Sequence, residues 1–190
     1  WFQGGKTNIA LNCVDLPATE SPDRLALVGE EEDGTVNRWT FAEVADEVDR
    51  WAAALRWRGV QPGDRVACLM PMVAQVSMAM LATMKVGAVF IPIFSGYAAP
   101  SVRERLEDSG ACCLFTADLG YRRGQSFDLK SHADEAVEGL ESLKTVFVLQ
   151  RGDGSSAMQE GRDFWWHQIP ELGEGDSSTQ MMASMDPALM

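Results

Sequence analysis

Two stretches of this sequence join aromatic rings, glycine and arginine: Phe94-Ser95-Gly96-Tyr97 and Gly120-Tyr121-Arg122-Arg123-Gly124. An aromatic ring can stack on a base, glycine lets backbone approach a ligand closely, and arginine can fork onto phosphate. Together they predict a site for a nucleotide-like ligand. The competing reading pairs the arginines at the surface with Asp108 or Asp118 and packs the aromatics away. Neither a GxGxxG turn nor a Walker loop occurs, so a dinucleotide fold and P-loop chemistry are both unsupported. His132 and His167 are too few and too scattered for a zinc site, and no Ser–His–Asp arrangement follows from the chain order. None of Cys13, Cys68, Cys112 and Cys113 forms a CxxC pair. Cys68 and Cys112 lie in apolar runs and are expected to pack as small hydrophobes. Cys112 and its neighbour Cys113 are expected on opposite faces of a strand. No residue is assigned a catalytic or metal-binding role on this pattern.

The elements that must hold these loops follow from periodicity. Residues 25–30 and 36–39 flank Asp33-Gly34 and predict a hairpin. Thr40 and Glu43 have the spacing of a capping box. Phe41, Val44, Ala45, Val48, Trp51, Ala52 and Leu55 then recur at helical spacing, and Gly59 ends that helix. Residues 65–70 form a nearly continuous apolar run, as in a parallel strand covered on both faces. Pro71 is expected to open a buried helix reaching Met84, its methionines serving as packing. Strands at 88–93, 112–116 and 145–149 alternate with helices at 100–108 and 132–143, with a loop holding Gly120 and Gly124. The alternation predicts an α/β fold with a mainly parallel sheet and flanking helices. In such sheets ligands sit beyond the carboxyl ends of the strands, which is where Pro71-Met72 and the two aromatic–glycine stretches fall.

From Arg151 onward the composition turns to Gly, Ser and acidic residues, interrupted by Asp163-Phe164-Trp165-Trp166. Residues 1–150 are therefore expected to form the α/β body, and 151–190 a surface excursion pinned by its aromatics. The closing Ala188-Leu189-Met190, after Asp186-Pro187, reads as the start of a buried strand. The chain of 190 residues carries a formal net charge of -12, which argues against a nucleic-acid partner and against anionic membrane surfaces. No apolar run has the length of a membrane helix, and the cysteine usage demands no oxidising compartment, so a cytosolic setting is expected.

The order of several short motifs resembles the N-terminal part of acetyl-CoA synthetase and its short-chain acyl-CoA synthetase relatives in the adenylate-forming superfamily. Trp1-Phe2-Gln3-Gly4-Gly5 with Asn8, Asn12 and Asp15 is similar to that family's W-F-x-G-G-x-x-N-x-x-x-N-x-x-D entry segment. Gly63-Asp64-Arg65-Val66, Met70-Pro71-Met72, Gly87-Ala88-Val89, Arg105-Leu106-Glu107-Asp108-Ser109, Asp128-Leu129-Lys130 and Trp165-Trp166 follow in family order. Phe94-Ser95-Gly96-Tyr97 resembles its F-G-G-F loop.

The resemblance implies the first lobe of the large N-terminal domain of an AMP-forming acyl-CoA synthetase. Such enzymes use ATP and Mg2+ to turn a carboxylate into an acyl-adenylate, then transfer the acyl group to coenzyme A. By position it places Phe94, Gly96 and Arg122 against the adenine and 3′-phosphate end of coenzyme A. Three positions depart from the family: Ser95 replaces a loop glycine, Gln125 a second arginine, and Leu16-Pro17 a basic pair. Arg123 is the adjacent candidate to compensate for Gln125. The family's phosphate-cradling loop T-S-G-S/T-T-G-x-P-K-G is expected after Met190, together with the carboxylate pocket, the hinge and the lid. The remainder of a synthetase chain is thus an implied partner, and these 190 residues are expected to be inactive alone. The alternatives are a stand-alone module that binds coenzyme A or a nucleotide without chemistry, and a scaffold with no small ligand.

Overall fold

The computed structural model describes residues 2–169 and 175–190. The entry segment forms β1 (Lys6–Thr7), a π-helical turn (Leu11–Asp15) and α1 (Leu16–Glu20). An antiparallel hairpin, β2 (Leu25–Glu30) and β3 (Val36–Thr40), leads into α2 (Phe41–Trp57). The body follows as β4 (Arg65–Leu69), α3 (Ala74–Lys85), β5 (Val89–Pro92), α4 (Ala99–Ser109) and β6 (Cys113–Ala117). A second hairpin, β7 (Leu119–Arg122) and β8 (Gln125–Asp128), precedes α5 (Leu129–Val137), β9 (Thr145–Leu149), β10 (Asp163–Trp165) and β11 (Met182–Ala183).

The central sheet has the order β10-β9-β6-β4-β5, every neighbour parallel. Period-two alternation sends Val66, Cys68, Phe90, Cys113, Phe115 and Phe147 to one face, under α2 and α3. It sends Ala67, Leu69, Val89, Ile91, Leu114 and Val148 to the other, under α4 and α5. Trp51 of α2 fills the first core, edge-on to Phe115 at 5.1 Å and to Phe147 at 5.2 Å. A ring of that size buries roughly 150–250 Å², an upper bound of about 4–6 kcal/mol of apolar transfer. The helix that carries it starts at the expected capping box: Thr40 Oγ1 accepts from the Glu43 amide at 3.3 Å, and Glu43 Oε2 accepts from the Thr40 amide at 2.7 Å.

Four expectations about the elements are corrected. α3 starts at Ala74 with an extended Val73 before it, so buried Pro71 belongs to the exit of β4 and not to a first helical turn. The stretch holding Gly120 and Gly124 is the β7–β8 hairpin; Arg123 (φ +54°) and Gly124 (φ +73°) are both left-handed, the requirement of a type I′ turn. α5 begins at Leu129 and ends at Val137, earlier than the 132–143 span. The late segment is pinned by its aromatics as expected but does more than lie on the surface, because β10 adds a fifth parallel strand beside β9. Trp166 is buried against Trp51, and its indole N–H donates to Glu47 at 2.6 Å.

The same segment is tied down by charge. The buried ammonium of Lys130 meets Asp134 at 2.6 Å and Asp163 at 2.8 Å, and Arg162 joins the same two carboxylates. Burial opposes the ionisation of Asp163, but hydrogen bonds from Arg162 and Lys130 outweigh it and hold the carboxyl below its usual range. The cysteines are free. Burial pushes the Cys68 thiol up to about 12, and that of Cys113 well above its ordinary value. Cys112 lies just before β6 and packs against the same core as Cys113, so the opposite-face expectation does not apply to it. The closing residues run along the outer edge of β5, where the Phe90 amide donates to Ala188 O at 3.0 Å and the Met190 amide to Phe90 O at 3.1 Å.

Candidate functional site

Reading the sheet from its β5 edge gives the order β5-β4-β6-β9-β10. The chain leaves β4 toward β5, then crosses back to place β6 on the other side. That reversal makes a crevice at the carboxyl ends of the strands, the preferred ligand position in open α/β sheets. A cleft of about 1080 Å³ opens there. Pro71, Met72 and Val73 line it after β4, Phe94 to Pro100 after β5, Tyr121 and Arg122 from β7, Phe127 from β8, His132 and Glu135 from α5, and Arg151 after β9. The tip of the β2–β3 hairpin contributes Glu30, Glu31 and Glu32.

The loop after β5 is built to present a ring. Its backbone turns back on itself, with the Tyr97 amide donating to Phe94 O at 3.1 Å. Arg105 of α4 lies 4.3 Å over the Tyr97 ring and holds it from behind. Phe94 meets Tyr97 edge-on at 5.6 Å and stays 62% exposed, a large ring held out for contact. Gly96 makes this possible: a Cβ there would come within 2.5 Å of Phe94 Cε1. The role expected of Gly96, close approach of backbone to a ligand, is joined by a nearer one, room for the Phe94 ring.

Across the cleft, the type I′ turn sets Arg122 directly opposite Gln125 in register. Gly120 pairs with Phe127, whose ring lies across it; a Cβ at Gly120 would stand 2.2 Å from that ring. Arg122 makes no ion pair among the described residues, so the surface pairing with Asp108 or Asp118 is not what occupies it. Asp118 is instead buried and accepts backbone amides from Leu119 and Arg151 at 2.7 Å and from Gly152 at 3.0 Å. It thereby locks the exits of β6 and β9 together and fixes where Arg151 starts. Arg123 and Gln125 do not line the cleft, so Arg123 offers no second cation to it.

Phe94, Gly96 and Arg122 are thus brought to one cavity, from two elements more than twenty residues apart. Residue spacing missed Glu31, Glu32 and Arg151. Arg151 lies 4.9 Å over the Tyr121 ring and is paired with Glu31. The Gly124 amide donates to Glu32 at 3.3 Å. Arg151 was within reach of sequence reasoning, since it directly follows a parallel strand on the ligand side of the sheet. Glu31 and Glu32 read as ordinary turn residues, and nothing local shows that their hairpin arches onto the cleft. Among the described residues no three carboxylate, thiol or imidazole side chains converge to hold a metal.

A family model described as AMP-binding enzyme matches residues 14–190. The acetyl-coenzyme A synthetase of Halorhodospira halophila is 38% identical over 188 residues, which is 98% of this chain and 29% of the relative. That of Streptomyces avermitilis is 42% identical over 170 residues, 89% of this chain and 26% of the relative. Among solved structures, acetoacetyl-CoA synthetase from Streptomyces lividans superposes with a TM-score of 0.89 at 28% identity, over all of this chain and 28% of that one. The chain therefore spans less than a third of the length of the relatives it matches. The matched span, the shared architecture and the level of identity establish that it belongs to the AMP-binding enzyme family, on its acetyl-CoA synthetase-like side.

Proposed function

We propose that this chain supplies the coenzyme A adenine wall of an AMP-forming acyl-CoA synthetase that acts on a short or medium carboxylate. In the whole enzyme a carboxylate oxygen attacks the α-phosphorus of ATP and expels pyrophosphate, with Mg2+ supplying charge neutralisation on the phosphates. The coenzyme A sulfur then attacks the acyl carbon and AMP leaves. The residues here serve the second substrate. Phe94 offers a ring face for the adenine, Gly96 keeps that ring free to lie across the loop, and Arg122 offers an unspent guanidinium to the 3′-phosphate. The observation that carries this reading is the meeting of the Phe94–Gly96 loop and Arg122 in one cleft at the carboxyl ends of the strands.

No residue of this chain is assigned to the adenylation chemistry, so these residues alone should neither adenylate a carboxylate nor make a thioester. Pyrophosphate release from ATP, Mg2+ and acetate should stay at background, and release above it would contradict this. Calorimetry with coenzyme A and dephospho-coenzyme A tests the wall. Affinity should fall about threefold without the 3′-phosphate, as for one exposed ion pair, and Arg122→Ala should abolish the difference. Absence of binding to either compound would overturn the assignment of the cleft.

A further inference from the structure

The cleft holds more negative than positive side chains. Glu30, Glu31, Glu32 and Glu135 line it, against the guanidiniums of Arg122 and Arg151. A pocket meant for a phosphomonoester would be expected to invert that balance. The two arginines also differ in what they already hold. Arg122 has no ion-pair partner among the described residues. Arg151 is engaged on both sides: its guanidinium lies over the Tyr121 ring at 4.9 Å and pairs with Glu31. Both members of that pair are partly buried, their side chains 14% and 28% exposed, so solvent screens it less than a fully exposed pair.

Resting on the coenzyme A reading above, we propose that Glu31 is a specificity-determining residue of the cleft. It occupies Arg151 and withdraws it from the ligand. A phosphate entering the cleft finds one available guanidinium, and must displace a carboxylate to gain the second. The pair therefore sets how strongly the site distinguishes ligands with a 3′-phosphate from those without one. The position of the hairpin reinforces this. The Glu32 carboxylate accepts the Gly124 amide at 3.3 Å, which holds the tip of β2–β3 against the β7–β8 turn that carries Arg122. Two elements far apart in sequence thus set the charge of one cleft. The acidic tip is the part that alters the ligand preference.

Adenosine 3′,5′-bisphosphate and adenosine 5′-monophosphate differ by the phosphate in question, and the ratio of their dissociation constants reads the preference directly. Calorimetry on this chain should show that ratio rising about tenfold in Glu31→Gln, the effect of one added charge-assisted hydrogen bond. It should return to the starting value in the double variant Glu31→Gln with Arg151→Gln. Glu32→Gln removes an equal charge from the same tip without touching Arg151, and should move the ratio less than about threefold. Glu31→Asp keeps the charge but shortens the reach, and should give an intermediate rise, which serves if Glu31→Gln melts early. An unchanged ratio in Glu31→Gln, or an equal rise in Glu32→Gln, overturns the role of Glu31 while leaving the cleft assignment intact. No binding of either nucleotide to any variant overturns the cleft assignment, and this inference with it.

Discussion

The two ends of the parallel sheet differ in one cation: Arg151 is paired at the carboxyl ends, but Arg122 near it has no ion-pair partner among the described residues. At the amino ends Arg65, Arg58 and Lys85 are spent on structure. Arg65 donates to the carbonyls of Ser109 at 2.7 Å and Gly110 at 3.0 Å, closing the turn that enters β6. Arg58 donates to Thr145 Oγ1 at 2.9 Å and to Gly161 O at 3.1 Å, fastening the starts of β9 and β10. Lys85, 5% exposed, bridges Asp15 at 2.6 Å and Asp49 at 2.5 Å, binding the entry segment to α2 and α3. At the carboxyl ends Arg122 is unspent, Met72 is 93% exposed and Phe94 is 62% exposed. Residues of the same kinds, on one sheet, hold the fold together at one end and are left available at the other. Availability, more than composition, marks the end proposed to meet a ligand.

That contrast can be broken from either side. The largest effect is expected at Lys85. Lys85→Met leaves Asp15 and Asp49, both partly buried, without their shared counterion, and should cost about 2–3 kcal/mol of unfolding free energy. Urea denaturation would show it as a lower midpoint with little change in slope; a loss under about 1 kcal/mol would mean that the clamp is not structural. The smallest effect is expected at Arg122. Arg122→Ala touches no hydrogen bond or ion pair among the described residues, and should leave stability within about 0.5 kcal/mol. A loss comparable to that at Lys85 would erase the distinction between the two ends.

Much of this arrangement is legible in the sequence, for reasons that can be named. The capping box at Thr40 and Glu43 and the continuous apolar runs of β4 and β6 are local signals, and each fixes an element whatever surrounds it. β10 left no such signal. Its three residues, Asp163, Phe164 and Trp165, are too short for an alternation, and their partners lie seventeen residues earlier in parallel register. The β7–β8 hairpin was hidden because a type I′ turn calls for two left-handed residues, and Arg123 is an unusual choice for the first. Pro71 suggested a first helical turn, but its burial at the exit of β4 outweighed that local preference. Within the site, Phe94, Gly96 and Arg122 stood out by residue type and adjacency. Glu31 and Arg151 did not, because their meaning lies in a contact 120 residues long.

The entry segment makes the same point about distance. Asn8, Asn12 and Asp15 carry a family resemblance in sequence, and the structure supplies a physical account of two of them. Asn8 Nδ2 donates to Met84 O and to Gln180 O, both at 2.7 Å, while its Oδ1 accepts the Ala10 amide at 2.8 Å. Asp15 accepts from Lys85 and from Thr179 Oγ1. Every one of these long contacts joins the first residues to parts of the chain that come much later.

The pairing of β1 with β11 carries a consequence in time. Thr7 meets Met182 and Lys6 meets Ala183, so two segments about 175 residues apart are hydrogen-bonded to each other, the first of them made well before the second. At ordinary synthesis rates the first segment waits on the order of ten seconds or more for its partner. Closing so long a loop costs entropy before any contact repays it, so this clasp should be the final step of folding. In pulse-labelled refolding the Ser184 amide, bonded to Gly5 O at 3.0 Å, should gain protection after the amides of β4 and β6; simultaneous protection would argue against this order. Until then the chain holds a formed sheet while β1 is still without its strand partner.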